Sequence, residues 1–445
     1  MTGGERCRSA RINGEERAEK GAEPPDKRRI TSRERCRSAR INGEQSVGVK
    51  IEIIPSKSFA HRAMICAALS ETKSEVKCDF FSKDIEATRN CVDVLKNGGT
   101  LLKCGESGST LRFLLPVFAA LGRKGIFVPE GRLIKRPLSP LYEELESHGC
   151  SLSPKGESPI VIEGKLVPGI FRLPGNISSQ YISGLMMALP LLDGKSRIDI
   201  EGELESAAYV DITLKVLAEY DIVWIKKVTS KGVSYEIPYR QKYAGPAEFY
   251  VEGDWSAAAF WLCAGAVGTT SVTVSGLNLQ SLQGDRQIVE ILKAFGAEVH
   301  EGKNSVTVYP SKLYGTEVDL APIPDLGPVV ALLGCAAYGK TRIINAERLR
   351  LKESDRLSAI AENLKILGGK VKEKKDGLVI KGLSGAKFVG GEVSSFNDHR
   401  IAMMEAVASI FSYSRVIIDG KEAADKSYPD FFKIMREVGL GGNIG

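Results

Sequence analysis

A chain of 445 residues, 43% hydrophobic and 26% charged, has the composition of a large soluble protein with two or more domains and ample core. It offers no apolar stretch as long as a membrane span and no N-terminal apolar segment expected to act as a secretory signal, so no membrane partner and a cytoplasmic location are expected. The net charge of +6 invites a nucleic-acid reading, but residues 1–45 hold ten Arg and two Lys against seven Glu and one Asp, a net of +4, so the body is nearly neutral and no nucleic-acid partner is expected.

The chain opens on residues 1–47, a basic tail in which 5–15 recurs identically as 34–44. Few apolar residues and Pro24-Pro25 leave it unable to bury a core, and it is expected to be disordered. Nine cysteines are scattered along the sequence without a C-x-x-C pair. They read as reduced, mostly buried thiols, with neither a disulfide framework nor a zinc site.

The first element is a strand over 49–54 that stops at Pro55, after which Ser56-Lys57-Ser58 opens a helix. Ser58 and Arg62 are four apart and share a face beside the N-terminal amides. Cys104-Gly105-Glu106-Ser107-Gly108-Ser109 leads in the same way into a helix over 113–120, with glycines that let the backbone approach a ligand. Gly175-Asn176-Ile177-Ser178-Ser179-Gln180 precedes a helix over 181–189, and Lys352, Glu353, Asp355 and Arg356 crowd the junction between a β-branched run at 341–344 and an apolar helix from Leu357. Backbone N–H groups and the helix dipole favour an anion at such junctions. Hydroxyls, amides and cations at several helix starts describe a site for a multiply anionic small molecule.

A coarser repeat lies beneath these junctions. Helix ends with a stop are expected at 94–98, 145–149, 214–220, 291–296, 364–368 and 434–439, most followed by a short apolar strand. The spacing of about 50 to 75 residues suits a βαβαββ-sized unit, and six units divide into two lobes of three. One motif misleads: 334–341 satisfies the P-loop pattern of a nucleotide-binding protein. A P-loop follows a strand and opens a helix, whereas here a helix over 329–337 precedes a strand over 341–344.

Lys57-Ser58 with Arg62, Gly108-Ser109 with Arg112, Arg132-Leu133-Ile134-Lys135-Arg136-Pro137, Ser178-Ser179-Gln180, Glu252-Gly253-Asp254, Gln283-Gly284-Asp285, Pro324-Asp325, Lys352-Glu353-Ser354-Asp355-Arg356, Asn397-Asp398-His399-Arg400 and Lys426-Ser427-Tyr428-Pro429-Asp430 follow one another from about residue 48 to about residue 435. This ordered series resembles the signature series of the 5-enolpyruvylshikimate-3-phosphate synthases, a family of enolpyruvyl transferases. The resemblance implies an α/β (α+β) fold of two lobes, each of three βαβαββ-like units with helices inward and sheets outward. One lobe would span 56–251 and carry most shikimate 3-phosphate contacts. The other would take 48–55 with 252–445 and carry the acid/base residues and the phosphoenolpyruvate clamps. It further implies a cofactor-free, metal-free monomer that transfers the enolpyruvyl group of phosphoenolpyruvate to the 5-hydroxyl of shikimate 3-phosphate, releasing phosphate, on the way to chorismate and aromatic amino acids.

Carried over motif by motif, the resemblance gives Lys57, Ser58, Arg62, Ser178, Ser179, Gln180, Ser206, Asp325 and Lys352 to shikimate 3-phosphate. Lys57, Gly108, Arg136, Gln180, Arg356, Arg400 and Lys426 fall to phosphoenolpyruvate. Asp325 is the expected base and Glu353 the expected proton donor. The bland alternative for Ser206 is a helix cap. Glu106 and Ser107 stand where the family has a neutral Asn and a small residue, and Glu106 is expected to point away or pair with Arg112. Arg348 replaces an uncharged contact and is left outside the site, and His61 and His399 are expected to be structural hydrogen bonders. Lobes lined with like charges would close only on anions. The sister transferase acting on UDP-N-acetylglucosamine uses a cysteine shortly before its Arg-Pro pair, and 131–137 contains none.

Overall fold

Among the described residues the chain forms six sheets, three built around each of two hydrophobic clusters. The computed structural model describes residues 48–230, 232–441 and 444–445; the 1–47 tail and its duplicated segment lie outside the described residues. Among the described residues, no helix is long and apolar enough to cross a membrane.

The repeat unit is plain in the strands Leu101–Gly105, Gly125–Pro129, Cys150–Leu152 and Ile160–Gly164. The first two pair in parallel across the helix Gly108–Ala120, and the last two add antiparallel after the helix Leu141–Ser147. The sheets that begin at Ile170–Pro174 and Glu317–Asp319 repeat this order. Two units are shortened to a parallel pair that lacks the closing hairpin, Glu248–Tyr250 with Glu75–Lys77 and Gly391–Ser394 with Val416–Asp419. All six expected helix ends are present, at Lys96, Ser147, Ala218, Ala294, Ile366 and Glu437. Beyond five of them Gly98, Gly149, Gly296, Gly368 and Gly439 take φ between 72° and 94°, the left-handed stop that glycine adopts without strain; Asp221 takes 59° at the sixth.

Two helices of one lobe pack on their sheets on one side and on other helices on the other. Trp255–Val267 and Gly327–Ala336 are buried nearly all round and accordingly show no polar face. The latter runs into the strand Lys340–Ile344, so the P-loop-like segment is a helix end followed by a strand, as its sequence order predicts.

The chain passes between the clusters twice, side by side. Strand Val49–Glu52 lies parallel to Val272–Ser275 against one cluster, the chain crosses at Pro55, and the helix Lys57–Leu69 packs in the other. The return runs from Glu248–Tyr250 through Gly253, which bridges Pro55. A single carboxylate ties the crossings together: Asp254 accepts from Lys57 N at 3.0 Å and from Ala257 N at 2.8 Å, capping the first turns of one helix from each lobe. Gln283 completes the knot through Ser56 Oγ, Trp255 N and Glu252. Two helix starts are thereby held together where the chain crosses.

Candidate active site

Helix N-termini of both lobes converge on one cavity between them. Lys57–Leu69, Gly108–Ala120 and Ser179–Ala188 come from one lobe, and Arg356–Ile366 and His399–Ile410 from the other. Caps explain the starts: Ser107 accepts from Thr110 N, Ser178 from Gln180 N, Asp355 from Ser358 N and Asp398 from Arg400 N. Two helices begin earlier than their apolar pattern suggests, which brings Gly108, Ser109 and Gln180 into first turns.

Of the expected site residues, Lys57, Ser58, Arg62, Gly108, Arg136, Ser178, Ser179, Gln180, Ser206, Asp325, Lys352, Glu353, Arg356 and Arg400 line this cavity. Lys426 does not; it lines an adjoining cavity with Glu106 and Asn397. Eight cations against three carboxylates line the main cavity, a strong excess of positive charge. A Cβ at Gly108 would stand 2.7 Å from Arg112 Nη1 and 3.0 Å from Arg136 Nη1, so a side chain there would displace the ends of these guanidinium groups.

Arg356 is the hub. It is 1% exposed and meets Asp398 at 2.7 Å, Glu353 at 2.6 Å and Asp325 at 2.8 Å. Asp325 also receives Lys352 at 3.2 Å, Arg400 at 3.0 Å and the Tyr209 hydroxyl at 3.0 Å. Burial pushes the Asp325 carboxyl up, but Arg400, Lys352 and Arg356 outweigh it and hold the group well below the usual range. Glu353 behaves alike: burial opposes ionisation, and Arg356 and Arg136 prevail. Asp285, behind this cluster, is pushed up to about 6 by burial and by the Asp325 charge.

Several cavity residues fall outside the expected set. Arg112 donates to Gln180 Oε1 at 2.8 Å, and Gln180 in turn donates to Ser109 Oγ. Glu106 therefore does not pair with Arg112; it takes Lys426 at 2.7 Å and Asn397 Nδ2 at 3.1 Å. Arg348 lines the cavity and reaches Ser206 Oγ at 2.8 Å and Glu205 at 3.2 Å, and Ser206, at φ 56°, makes no side-chain cap bond. The helix-cap alternative for Ser206 thus fails, and Arg348 lines the same cavity as the expected residues. Asp84 holds Lys57 at 2.7 Å. His61 is the structural hydrogen bonder expected, with Nδ1 2.6 Å from Thr88 Oγ1. His399 is not: it is 3% exposed, lines the cavity, and neither ring nitrogen has a hydrogen-bond partner. Burial and the nearby Lys57 and Arg400 charges hold its imidazole well below the usual range.

The facing walls are not simply of like sign. Arg136–Glu353, Arg348–Glu205, Lys426–Glu106 and Lys83–Asp425 join opposite charges across the gap. Each rim carries both signs, so repulsion between lobes is locally neutralised by the chain itself.

Comparison with known proteins gives these motifs a setting. The sequence model of the family described as EPSP synthase (3-phosphoshikimate 1-carboxyvinyltransferase) matches residues 91–435. A Clostridium kluyveri protein named 3-phosphoshikimate 1-carboxyvinyltransferase is 43% identical over 418 residues, covering 89% of this chain and 95% of that protein. One of the same name from Clostridium novyi is 41% identical over 419 residues, covering 88% and 95%. Among solved structures, an EPSP synthase from Acinetobacter baumannii superposes with a TM-score of 0.72 at 24% identity, covering 89% of this chain and 97% of that one. An enolpyruvyl transferase from Streptomyces tendae gives 0.68 at 15% identity, covering 88% and 94%. At such identities the structural likeness is one of fold.

Proposed function

This chain belongs to the EPSP synthase (3-phosphoshikimate 1-carboxyvinyltransferase) family, and from that premise we propose that it transfers the enolpyruvyl group of phosphoenolpyruvate to the 5-hydroxyl of shikimate 3-phosphate and releases phosphate. The observation that carries the reading is the pair Asp325 and Glu353, both tied to Arg356 inside a cavity with a large excess of cations. Such a cavity suits two phosphates and two carboxylates without a metal to neutralise them.

Ser58, Arg62, Ser178, Ser179, Gln180, Ser206, Lys352 and, by its contact with Ser206, Arg348 are the proposed shikimate 3-phosphate contacts. Gly108, Arg136, Arg356, Arg400 and Lys426 are the proposed phosphoenolpyruvate contacts, with Lys57 and Gln180 between the ligands. The 5-hydroxyl attacks C2 while C3 takes a proton, and the tetrahedral intermediate then expels phosphate. Asp325 is the proposed base and Glu353 the proposed acid.

Both carboxylates are held ionised by neighbouring cations, which at first suits neither a base nor an acid. Anionic substrates change that balance. Phosphate and carboxylate groups on Arg356, Arg400 and Lys352 compensate the cations, so the proton affinity of both carboxyls rises when the substrates bind. The acid and the base are thus armed by the molecules they act on.

The cysteine-free loop 131–137 and the small hydroxyl-rich pocket at 178–180 support this substrate pair over UDP-N-acetylglucosamine. Both walls of the site come from one chain, which supports a monomer. The seven described cysteines are free and buried, which supports a reducing, cytoplasmic setting. The test is phosphate release: turnover is expected only with shikimate 3-phosphate and phosphoenolpyruvate together, and equally in the presence of a chelator. Release that required ATP and Mg²⁺, or that proceeded with UDP-N-acetylglucosamine, would overturn the reading.

A further inference from the structure

Lys426 is the one expected substrate contact outside the main cavity, and its surroundings give the reason. An ammonium group has three N–H donors. One goes to Glu106 Oε2 at 2.7 Å and another to the Asn397 carbonyl at 2.6 Å, which leaves a single donor for any further acceptor. Glu106 comes from the opposite lobe, between the strand Leu101–Gly105 and the helix Gly108–Ala120.

The carboxylate is firmly seated. Its Oε1 accepts from Asn397 Nδ2 at 3.1 Å. Its side chain lies so close over Gly131, at φ 52°, that a Cβ there would stand 2.7 Å from Glu106 Cδ. The side chains of Glu106 and Lys426 are 25% and 8% exposed, so water screens their attraction less than it would at an open surface. Other carboxylates line the same adjoining cavity, yet among the described residues only Glu106 lies within ion-pair distance of Lys426.

We propose that Glu106 is a specificity-determining residue that holds Lys426 back from the anion subsite, so that the Glu106 carboxylate and the substrate phosphate compete for one ammonium group. This rests on the assignment of Lys426 to phosphoenolpyruvate. The cost of detaching Lys426 falls on phosphoenolpyruvate binding and not on shikimate 3-phosphate, whose proposed contacts lie in the main cavity. Because the competition acts on ground state and transition state alike, it appears in KM and leaves kcat unchanged.

Steady-state kinetics on the full chain test this with Glu106→Gln, Lys426→Met and the double variant. Glu106→Gln keeps the shape and removes the charge, and is expected to lower KM for phosphoenolpyruvate by about two- to fivefold. Both kcat and KM for shikimate 3-phosphate stay as in the wild type. In the Lys426→Met background the same change is expected to do nothing. Glu106→Asn, shorter and also neutral, is expected to shift KM in the same direction. An unchanged or raised KM in Glu106→Gln, opposite signs for Gln and Asn, or a gain that persists without Lys426 would overturn the proposal. If the wild-type chain fails to turn over the two substrates, the functional reading falls and this one with it; turnover with an unresponsive KM sinks this one alone.

Discussion

Arg62 and Arg356 face one cavity from opposite lobes, both buried, with partners of different kind. Arg62 donates from Nε to Thr213 Oγ1, from Nη1 to the Ser58 carbonyl, and from Nη2 to Ser183 Oγ and the Tyr209 carbonyl, all neutral. Arg356 is surrounded by three carboxylates. Their proton affinities part accordingly. Burial pulls the Arg62 guanidinium down to about 10, whereas for Arg356 burial is outweighed by Asp398, Glu353 and Asp325 and the group is pushed above its ordinary value. One wall therefore offers a fixed positive charge in a neutral frame, suited to recognition. The other is a charge-compensated cluster whose carboxyls respond to any anion that enters, which suits proton transfer.

The comparison breaks first if the compensated wall does no chemistry. Glu353→Gln keeps size and polarity but has no proton to deliver to C3, so turnover is expected to fall by about two to four orders of magnitude with modest change in substrate binding. Asp325→Asn is expected to slow turnover as well, and to weaken shikimate 3-phosphate binding because the carboxylate would touch the hydroxyl directly. Near-normal turnover of Glu353→Gln in a steady-state assay would remove the acid from this wall and leave the two arginines without a functional contrast.

The next effect is on stability. Lys in place of Arg356 keeps the charge but loses the planar fork that reaches three carboxylates, and about 3 kcal/mol of stability is expected to go with it. Denaturant unfolding at neutral pH measures this. The sign with pH follows from the depressed carboxyls: a group held below its unfolded value contributes fully above that value and loses its contribution as pH falls through the folded one. Asp325 and Glu353 both lie well below the usual range, so the wild-type chain keeps their contribution above about pH 4.5. In Arg356→Lys the folded values rise, and the acid-unfolding midpoint is expected to move to higher pH.

How far this contrast was legible in the sequence depends on the distance between the partners. The helix starts carrying Lys57, Gly108, Ser178 and Arg356 are local patterns, and so are the glycine stops at Gly98, Gly149, Gly296, Gly368 and Gly439; each could be read from a few neighbours. The reversed order of helix and strand around 334–341 was local too, and it disposed of the P-loop resemblance correctly. What escaped was contact across the gap. Arg348 with Ser206, and Lys426 with Glu106, join residues 142 and 320 apart, where no periodicity operates. His399 was misread because a buried histidine usually finds a partner, and this one faces the cavity instead. Nor did the spacing reveal that two of the six units lack their closing hairpin, since each keeps the helix-and-stop pattern on which the repeat was recognised.

The smallest effect belongs to the neutral wall, and it sharpens the contrast most. Arg62 has five N–H donors, and the protein takes four of them, leaving one on Nη1 for a ligand. Lys at this position keeps a positive charge, and the hydroxyls it abandons can still bond one another, since Ser183 Oγ and Thr213 Oγ1 are already 2.7 Å apart. The expected stability loss is therefore only about 1 kcal/mol, well short of that for Arg356→Lys. Losing one charge-assisted hydrogen bond to the ligand is expected to raise KM for shikimate 3-phosphate about tenfold, with kcat unchanged because a fixed neutral frame binds ground and transition states alike. A fall in kcat with KM held constant would mean that Arg62 acts on the reacting atoms, and that the two walls do not divide recognition from chemistry.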